Sequence, residues 1–363
     1  MEPNAQQSSR LKFRMVPAGE LPPDLIARWS ELVNENVGLD SPFFAPEYTA
    51  AVASAAPGIC VAVAERGGIP VAFLPYQLAP GRIATRLPLC DYQGVIMAEQ
   101  LELNVKQFLA GCGLRAWDFD HLRSAQRALQ LFHRATTESP VMDLQDGFEA
   151  YVVGRRAAGT EQIKKNGNLA RRLEREVGPL RFEVHLDSPE ILRQLLAWRG
   201  DKYGSRHPAS LIWSILERLL KTESLLCRGT LSVLFAGHEL VAAHFGLRSR
   251  ETWHYWFPAY DPRFEKYSPG ITLLLRMAEK APSLGIKTID LGSGAMDYKR
   301  RLANGAISIA QGSVEVSPVL CLARALKHNA RKCLDRAPAL RSFLRGVRRS
   351  SQDDHKQAAP ARA

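Results

Sequence analysis

The sequence predicts an α/β fold with mixed sheets, built from two copies of one structural unit. Three observations lead to this prediction. Each half of the chain runs in the order strand, turn, strand, strand, helix, strand. Matching residues recur between the halves at a nearly constant spacing, which is typical of a duplicated domain. A chain of 363 residues that is 46% hydrophobic is also long enough to bury two ordinary cores.

The elements of the first copy are predicted from apolar segments that turn residues separate. In chain order they are a helix over residues 46–55, strands over 59–65 and 69–78, a third strand within 83–97, a helix over 99–111 and a strand over 116–122. The turn between the first two strands reads RGG, which suits a hairpin.

The second copy repeats this order after two helices around residues 189–200 and 210–221. Its predicted elements are strands over 231–236, 240–249 and 252–260, a helix over 269–281 and a strand over 287–292. The repeat extends to single residues, because an offset of 172 pairs Gly113 with Gly285 and Asp118 with Asp290. The alternative is that any two α/β units share such an order.

Charge and composition limit the classes of function. The formal net charge is +11, but residues 317–363 contribute +8 of it, so the body is nearly neutral and does not indicate a nucleic-acid binder. The six cysteines form no C-x-x-C pair, which argues against zinc and against a disulfide framework. No apolar run has the length of a membrane span and the first residues lack a signal-peptide core, so we expect a cytoplasmic protein without a metal.

The predicted domains are residues 1–150, a connecting basic helix over 151–178, residues 179–316, and a tail over 317–363 whose end is disordered. The connecting helix is interpreted as a solvated helix with ion pairs, or as a positive wall beside an anionic ligand. Residues 319–349 of the tail combine helical apolar spacing with basic residues, which suggests peripheral contact with an anionic membrane; packing on the body is the alternative.

A Ser-Pro-Gly turn opens the helix predicted over 269–281. Ser268 is a good N-cap residue and Pro269 suits the first helical position. The amides of Gly270, Ile271 and Thr272 are predicted to lack partners within the helix, so that with the helix dipole they form an anion site. The position 172 residues before Gly270 is Ala98, so only the second copy has this turn.

Several motifs of the second copy resemble those of a known family. They are AYD at 259–261, SPG at 268–270, an acidic residue ending the strand in IDLGSG at 289–294, and YK at 298–299. Together with SPFFAPEY at 41–48 and GIPVAFLPY at 68–76, they resemble the GNAT-fold acyltransferases of the CelD/FemAB-like branch, over roughly residues 11–316. The resemblance implies tandem GNAT-like domains, of which the first is degenerate.

The resemblance implies acyl-CoA as the donor, bound at Ser268, Pro269, Gly270, Ile271 and Thr272. The chain departs from the family at this turn, where ordinary GNAT enzymes carry Gln/Arg-x-x-Gly-x-Gly/Ala. With Gly270 as the first glycine, Tyr267 replaces Gln/Arg and Thr272 the last small residue; in the other alignment Glu265 and Ser268 are the mismatches. The FemAB branch proper uses aminoacyl-tRNA, so this donor remains an alternative.

The candidate catalytic residues follow from the chemistry of acyl transfer, which requires a base for the amine and an acid for the leaving group. Asp290 is a candidate base or orienter of the amine, or else caps its loop. The resemblance makes Tyr298 the candidate acid and Lys299 a cation for an oxyanion or phosphate; surface positions are the alternative. His244 and His254 are further candidate bases, and partly buried structural histidines otherwise.

We therefore expect an N-acyltransferase with its donor in the second copy and its acceptor between the copies. By resemblance the acceptor is an amino sugar or another amine in envelope or exopolysaccharide synthesis. The alternatives are an aminoacyl-tRNA-dependent transferase, which alone would involve nucleic acid, and a non-catalytic scaffold on a membrane or polyanion.

Overall fold

The computed structural model describes residues 10–200, 207–294, 296–322, 324 and 326, and its framework is one sheet of 13 strands. The strands are β1 (Leu11–Pro17), β2 (Ile59–Arg66), β3 (Ile69–Ala79), β4 (Ile83–Thr85), β5 (Ile96–Met97), β6 (Ala116–Arg123), β7 (His133–Asp143), β8 (Leu180–Val184), β9 (Arg228–Ala236), β10 (Glu239–Arg248), β11 (Thr252–Tyr260), β12 (Thr288–Asp290) and β13 (Gly305–Glu315).

Helices connect the strands and cover the sheet. The α-helices are α1 (Pro23–Glu35), α2 (Pro46–Ala53), α3 (Val105–Gly111), α4 (Gly147–Ala157), α5 (Gln162–Glu176), α6 (Pro189–Gly200), α7 (Ala209–Leu220), α8 (Pro269–Lys280) and α9 (Asp297–Leu302). A short 3-10 helix over Pro262–Tyr267 leads directly into α8.

The pairing of the strands repeats between the two halves. β1 through β4 pair antiparallel in sequence order, and β4 then pairs in parallel with β6. In the second half, β8 through β11 pair antiparallel in sequence order, and β11 pairs in parallel with β12. The predicted mixed α/β fold is confirmed, and the two halves share one strand topology.

The halves exchange their last strands. The order of the sheet is β1-β2-β3-β4-β6-β13-β7-β12-β11-β10-β9-β8, with β5 beside β3. β7 of the first half therefore pairs with β12 of the second, and β13 of the second half lies beside β6 of the first. Because each half completes the sheet of the other, the chain folds as one continuous sheet across the predicted boundary at residue 150.

The core lies on both faces of the sheet. Val233 and Ala243 belong to an apolar cluster with α1, α2 and α7, whereas their neighbours Leu234 and Ala242 belong to a second cluster with α5 and α8. This alternation follows from the period of two residues along a strand. The first cluster joins side chains of both halves, since α2 packs against α7.

Three predicted elements differ in the structure. The helix predicted over 99–111 begins only at Val105, because the side chain of Asn104 accepts a hydrogen bond from the Gln107 amide and caps it. The third strand of the first half is divided into β4 and β5. The basic helix predicted over 151–178 is two helices, α4 and α5, since Gly159 with φ 79° ends α4.

The residues up to Val314 form one compact unit, and a second unit begins at Glu315. The basic tail predicted over 319–349 lies outside the described residues from 327 onward. Among the helices of the described residues, none combines the length and the apolar character that crossing a membrane requires.

Candidate functional site

A wedge-shaped cavity opens where β11 and β12 diverge. The two strands pair only at Thr252–Thr288, Trp253–Ile289 and His254–Asp290, after which β11 continues to Tyr260 while β12 ends. The resulting cavity has a volume of about 620 Å³. It is lined by Trp198, Tyr255, Pro258, Ala259, Tyr260, Pro262, Glu265, Ser268, Gly270, Ile271, Met296 and Tyr298.

The first turn of α8 forms one end of this cavity. Of the five predicted donor-binding residues, Ser268, Gly270 and Ile271 line the cavity. Pro269 and Thr272 are buried, and the Thr272 hydroxyl accepts a hydrogen bond of 2.9 Å from Asn166 Nδ2 on α5. The turn is therefore where the sequence predicted it, with two of its five residues, Pro269 and Thr272, buried in the core.

The hydrogen bonds of the turn correct two predictions. Ser268 is not a side-chain N-cap, because it lies in the left-handed region (φ 51°, ψ 52°) and its hydroxyl makes no capping bond. Its carbonyl oxygen instead accepts bonds from the amides of Ile271 (3.1 Å) and Thr272 (3.3 Å), which are thus not free. Within the described part of the chain, the Gly270 amide makes no hydrogen bond and remains available to an anion.

The backbone of Ser268 leads to a first prediction, on stability. A left-handed conformation costs a residue with a side chain about 1–2 kcal/mol, whereas glycine adopts it freely. Because glycine also gains freedom in the unfolded chain, we expect Ser268→Gly to raise the free energy of unfolding by about 0.5 kcal/mol in urea titrations. A loss of stability would show instead that the hydroxyl stabilises the turn.

A β-bulge deforms β11 at the mouth of the wedge, and His244 holds it. Tyr255 and Trp256 of β11 together oppose the single residue Gly246 of β10. His244 Nε2 accepts the Trp256 amide hydrogen at 3.2 Å. Burial lowers the pKa of His244 to about 3, so the ring is neutral and suited to accept this bond. His244 is fully buried, and its contacts indicate that it stabilises the bulge.

Asp290 lies in a buried polar network that joins the two halves. Its Oδ1 accepts hydrogen bonds from Ser139 Oγ (2.7 Å) and the Gly292 amide (2.8 Å), and its Oδ2 accepts one from the Tyr92 hydroxyl. With 1% of its surface exposed, Asp290 does not line the cavity. The structure thus gives it the loop-capping role, one of the two predicted for it, and anchors it to first-half side chains.

His254 belongs to the same network. Its Nδ1 lies 3.9 Å from Asp290 Oδ2, and its Nε2 lies 3.0 Å from Ser41 Oγ. Burial lowers the pKa of His254, and the neighbouring Asp290 opposes this shift. The ring is 1% exposed and lies edge-on to Phe43, so it has a structural environment rather than access to the cavity.

Tyr298 and Lys299 of helix α9 have different surroundings. Tyr298 lines the donor cavity. Lys299 is buried, and its Nζ donates hydrogen bonds to the carbonyl oxygens of Gly292 (3.0 Å) and Ser293 (3.3 Å). Burial lowers the pKa of Lys299. Lys299 therefore holds the backbone at Gly292 and Ser293, just after β12.

The first half contributes polar residues that the sequence analysis did not identify. His121 Nε2 of the first half lies 3.1 Å from Ser293 Oγ of the second half. We call this region of contact between the two halves the seam. Asp91 lies near Gly292, because a Cβ atom built on Gly292 would lie 3.8 Å from both Asp91 Oδ2 and Lys299 Nζ. The only sequence signal for Asp91 is an acidic residue in the otherwise uncharged segment 87–95.

The corresponding gap of the first half is filled by its own chain. After β4 leaves β6, Gln93 pairs with the exposed edge of β6: its amide donates to the His121 carbonyl (2.8 Å), and its carbonyl accepts from the Arg123 amide (3.1 Å). The chain at Ala98 is not helical, since α3 begins at Val105. The first half thus lacks both the open strand edge and the helix start of the second.

Among the described residues, no group of three or more His, Cys, Asp or Glu side chains is arranged to hold a metal ion. Cys60, Cys90, Cys112 and Cys227 are buried free thiols.

The strand topology and the wedge between β11 and β12 are those of a GNAT fold. Residues 162–300 match the acetyltransferase (GNAT) domain family, so this part of the chain is a GNAT domain. The match begins at the first residue of α5, which places that helix within the domain. No curated protein matches the sequence.

Two solved structures are similar in fold. FemX covers 83% of this chain, which covers 98% of FemX, with a TM-score of 0.56 and 10% identity. The C-terminal domain of a putative lysylphosphatidylglycerol synthetase from Agrobacterium fabrum covers 81% of this chain, which covers 92% of that domain, with a TM-score of 0.50 and 15% identity. The predicted resemblance to the FemAB-like GNAT fold is confirmed.

Proposed function

We propose that this protein is an N-acyltransferase that takes an acyl group from an acyl-CoA thioester, bound in the wedge, and transfers it to an amine. One observation carries the proposal: a single cavity combines the open edge of β11, the start of α8 and the side chain of Tyr298. The cavities lined by Asn36 and Arg127 and by His185 and Arg228, in the described part of the chain, have none of these three features.

The shape and polarity of the wedge fit such a donor. Its volume of about 620 Å³ is within the usual range for small-molecule sites. The edge of β11 over residues 255–260 offers backbone groups that the amides of a pantetheine arm would pair with, as in strand addition. The Gly270 amide and the positive end of the 12-residue helix α8 would hold the pyrophosphate.

Two lysines near the turn favour binding of the donor phosphates, whereas one glutamate in the cavity opposes it. Lys164 and Lys165 are exposed on α5 next to Asn166, which contacts the first turn of α8, so they suit the outer phosphate of the donor. Glu265, by contrast, lines the cavity, where its carboxylate accepts a hydrogen bond of 2.8 Å from the Tyr260 hydroxyl. Its negative charge would repel the phosphates of the donor. Glu265 is one of the positions at which the turn departs from the family motif.

In the reaction, the neutral amine attacks the thioester carbonyl, the carbonyl electron pair moves to oxygen, and collapse of the adduct breaks the carbon–sulfur bond. We assign Tyr298 as the acid that protonates the leaving thiolate, because it alone of the predicted catalytic residues lines the cavity. The acceptor would approach from the seam between the halves; an amino sugar is the acceptor class that the family resemblance favours.

The donor assignment predicts a specific response to removal of the Glu265 charge. Isothermal titration with acetyl-CoA should give a Kd in the micromolar range, and Glu265→Gln should bind about 3- to 10-fold more tightly at low salt, because a like charge near the phosphates is removed. The glutamine oxygen still accepts the Tyr260 bond. The gain should shrink at high ionic strength.

Glu279→Gln is the matched control, since Glu279 lies at the other end of α8 and pairs with Arg276. Its Kd should equal that of the unaltered protein. Failure of acetyl-CoA, longer acyl-CoA and free CoA to bind would contradict the proposal. Binding of aminoacyl-tRNA in their place would move the assignment to an aminoacyl-tRNA-dependent transferase.

A further inference from the structure

The polar groups of the donor cavity are concentrated at the start of α8. Among the described residues that line the cavity, Glu265 alone carries a charge, and it lies with Ser268 just before this helix. Two tyrosine hydroxyls are bonded at the same end, since Tyr260 donates to Glu265 (2.8 Å) and Tyr255 donates to the Gly270 carbonyl oxygen (3.2 Å). This end is the one to which the phosphates of the donor are assigned.

The lining residues come from both faces of the sheet. Tyr260, Ile271 and Tyr298 pack against the second apolar cluster, on the face of α5 and α8. Trp198 packs against the first cluster, which also contains Ala259 of β11. The cavity therefore passes through the sheet, in the gap that opens between β11 and β12. A ligand that is held at α8 and follows this gap reaches Trp198 on the other face.

The position of Trp198 follows from the apolar spacing of α6. Leu192 and Leu195 are buried on the inner face of this helix, and Trp198 comes three residues later on the same face. Because α6 packs against β10 and β11, Trp198 is directed toward the sheet. It is nevertheless only partly buried, since the cavity rather than the core lies against part of its ring.

Tyr298 indicates which part of the cavity holds the acyl group. It is assigned above as the acid for the leaving thiolate, so the sulfur of the bound thioester, with the acyl group bonded to it, lies near Tyr298. Met296 also lines the cavity two residues earlier in the chain, and it is 40% exposed. Trp198, Met296 and Tyr298 are thus the described lining residues that lie outside both β11 and the segment leading into α8. All three are apolar or aromatic, and methionine adapts readily to ligands of different shape.

We propose that the donor carries an apolar acyl chain of several carbon atoms rather than acetyl, and that Trp198 and Met296 contact this chain. The inference rests on the proposed function, because it requires a thioester in the wedge. An acetyl group offers a single methyl to this apolar surface, whereas a longer chain extends along it, and each methylene buried there strengthens binding by up to about fourfold. The transfer step is the one given above, with the longer chain carried unchanged to the amine.

The test is a series of donors of increasing chain length. Acetyl-CoA, butanoyl-CoA and hexanoyl-CoA are titrated into the full-length protein by calorimetry, with no amine present, so that binding of the donor alone is measured. We expect butanoyl-CoA to bind about 10-fold and hexanoyl-CoA about 50-fold more tightly than acetyl-CoA. Equal or declining affinity along the series would overturn this inference and leave the proposed function intact. If neither free CoA nor any acyl-CoA binds, the proposed function fails and this inference fails with it.

Trp198→Ala shows where the chain lies. The ratio of the acetyl-CoA Kd to the hexanoyl-CoA Kd should fall at least about fivefold, because the chain loses the largest apolar side chain assigned to it. Trp213→Ala is the matched control: Trp213 of α7 is also partly buried against the first cluster, but it is not among the residues that line the cavity. The control should keep the ratio within about twofold of the unaltered protein.

Met296→Gln provides a second test that does not depend on the packing of α6. The side chain is exposed, so the variant should fold, and the same Kd ratio should fall about threefold because a polar amide replaces an apolar contact. A ratio that neither Trp198→Ala nor Met296→Gln lowers would show that the chain does not contact these residues, and would overturn the assignment.

Discussion

Replacing Gly270 with tryptophan is expected to weaken acetyl-CoA binding by at least about 100-fold and to abolish turnover. Gly270 lines the cavity, and a Cβ atom built there would already lie 3.4 Å from Tyr260 Cδ1. An indole ring at this position would occupy the space in front of the one amide of the turn that has no partner among the described residues. Calorimetric titration measures the loss directly.

Gly270→Ala is the control for this substitution. Its Cβ meets only one neighbour at van der Waals distance, and φ at this position is not in the left-handed region, so the variant should bind acetyl-CoA within about fivefold of the unaltered protein. Both variants should unfold at similar urea concentrations. Full binding of acetyl-CoA by Gly270→Trp would contradict the location of the donor in the wedge.

Much of the fold was predictable because local patterns determine it. The strand over 252–260 and the helix beginning at Pro269 coincide with the elements observed, since alternation and a proline at the first helical position are local signals. The repeat of strand order also appears in the pairing of both halves. The exchange of β7 and β13 was not predictable, because strand partners are chosen by contacts far apart in sequence.

The same distinction between local and long-range signals applies to the residues of the candidate site. The turn at Ser268–Gly270 was found from sequence because a serine, a proline and a glycine are adjacent. Asp91 and Tyr92 were missed, since their importance depends on where the filled gap of the first half places them beside Gly292 and Asp290. The duplication pointed instead to Asp118, which matches Asp290 in sequence. Because the two copies have diverged, the sequence repeat does not identify the residues that meet at the seam.

Replacing Asp290 with alanine is expected to destabilise the protein by about 3–5 kcal/mol, the range for removal of one partner from a buried charged network. The substitution would leave the buried hydroxyls of Tyr92 and Ser139, and the partly buried Gly292 amide, without their acceptor. Because these groups come from both halves, the loss should lower the urea midpoint of a single transition that includes both.

A double-mutant cycle with Tyr92→Phe shows whether the effect arises from this network. Phenylalanine preserves the ring, which packs against Phe43 and Phe44, and removes only the hydroxyl that Asp290 accepts. Alone, it should cost about 1–2 kcal/mol; in the Asp290→Ala background it should cost much less, since the acceptor is already gone, giving a coupling of about 1 kcal/mol or more. Additive effects would mean that Asp290 stabilises the loop only through Gly292 and Ser139. In that case the seam would depend on the exchanged strands rather than on the buried carboxylate.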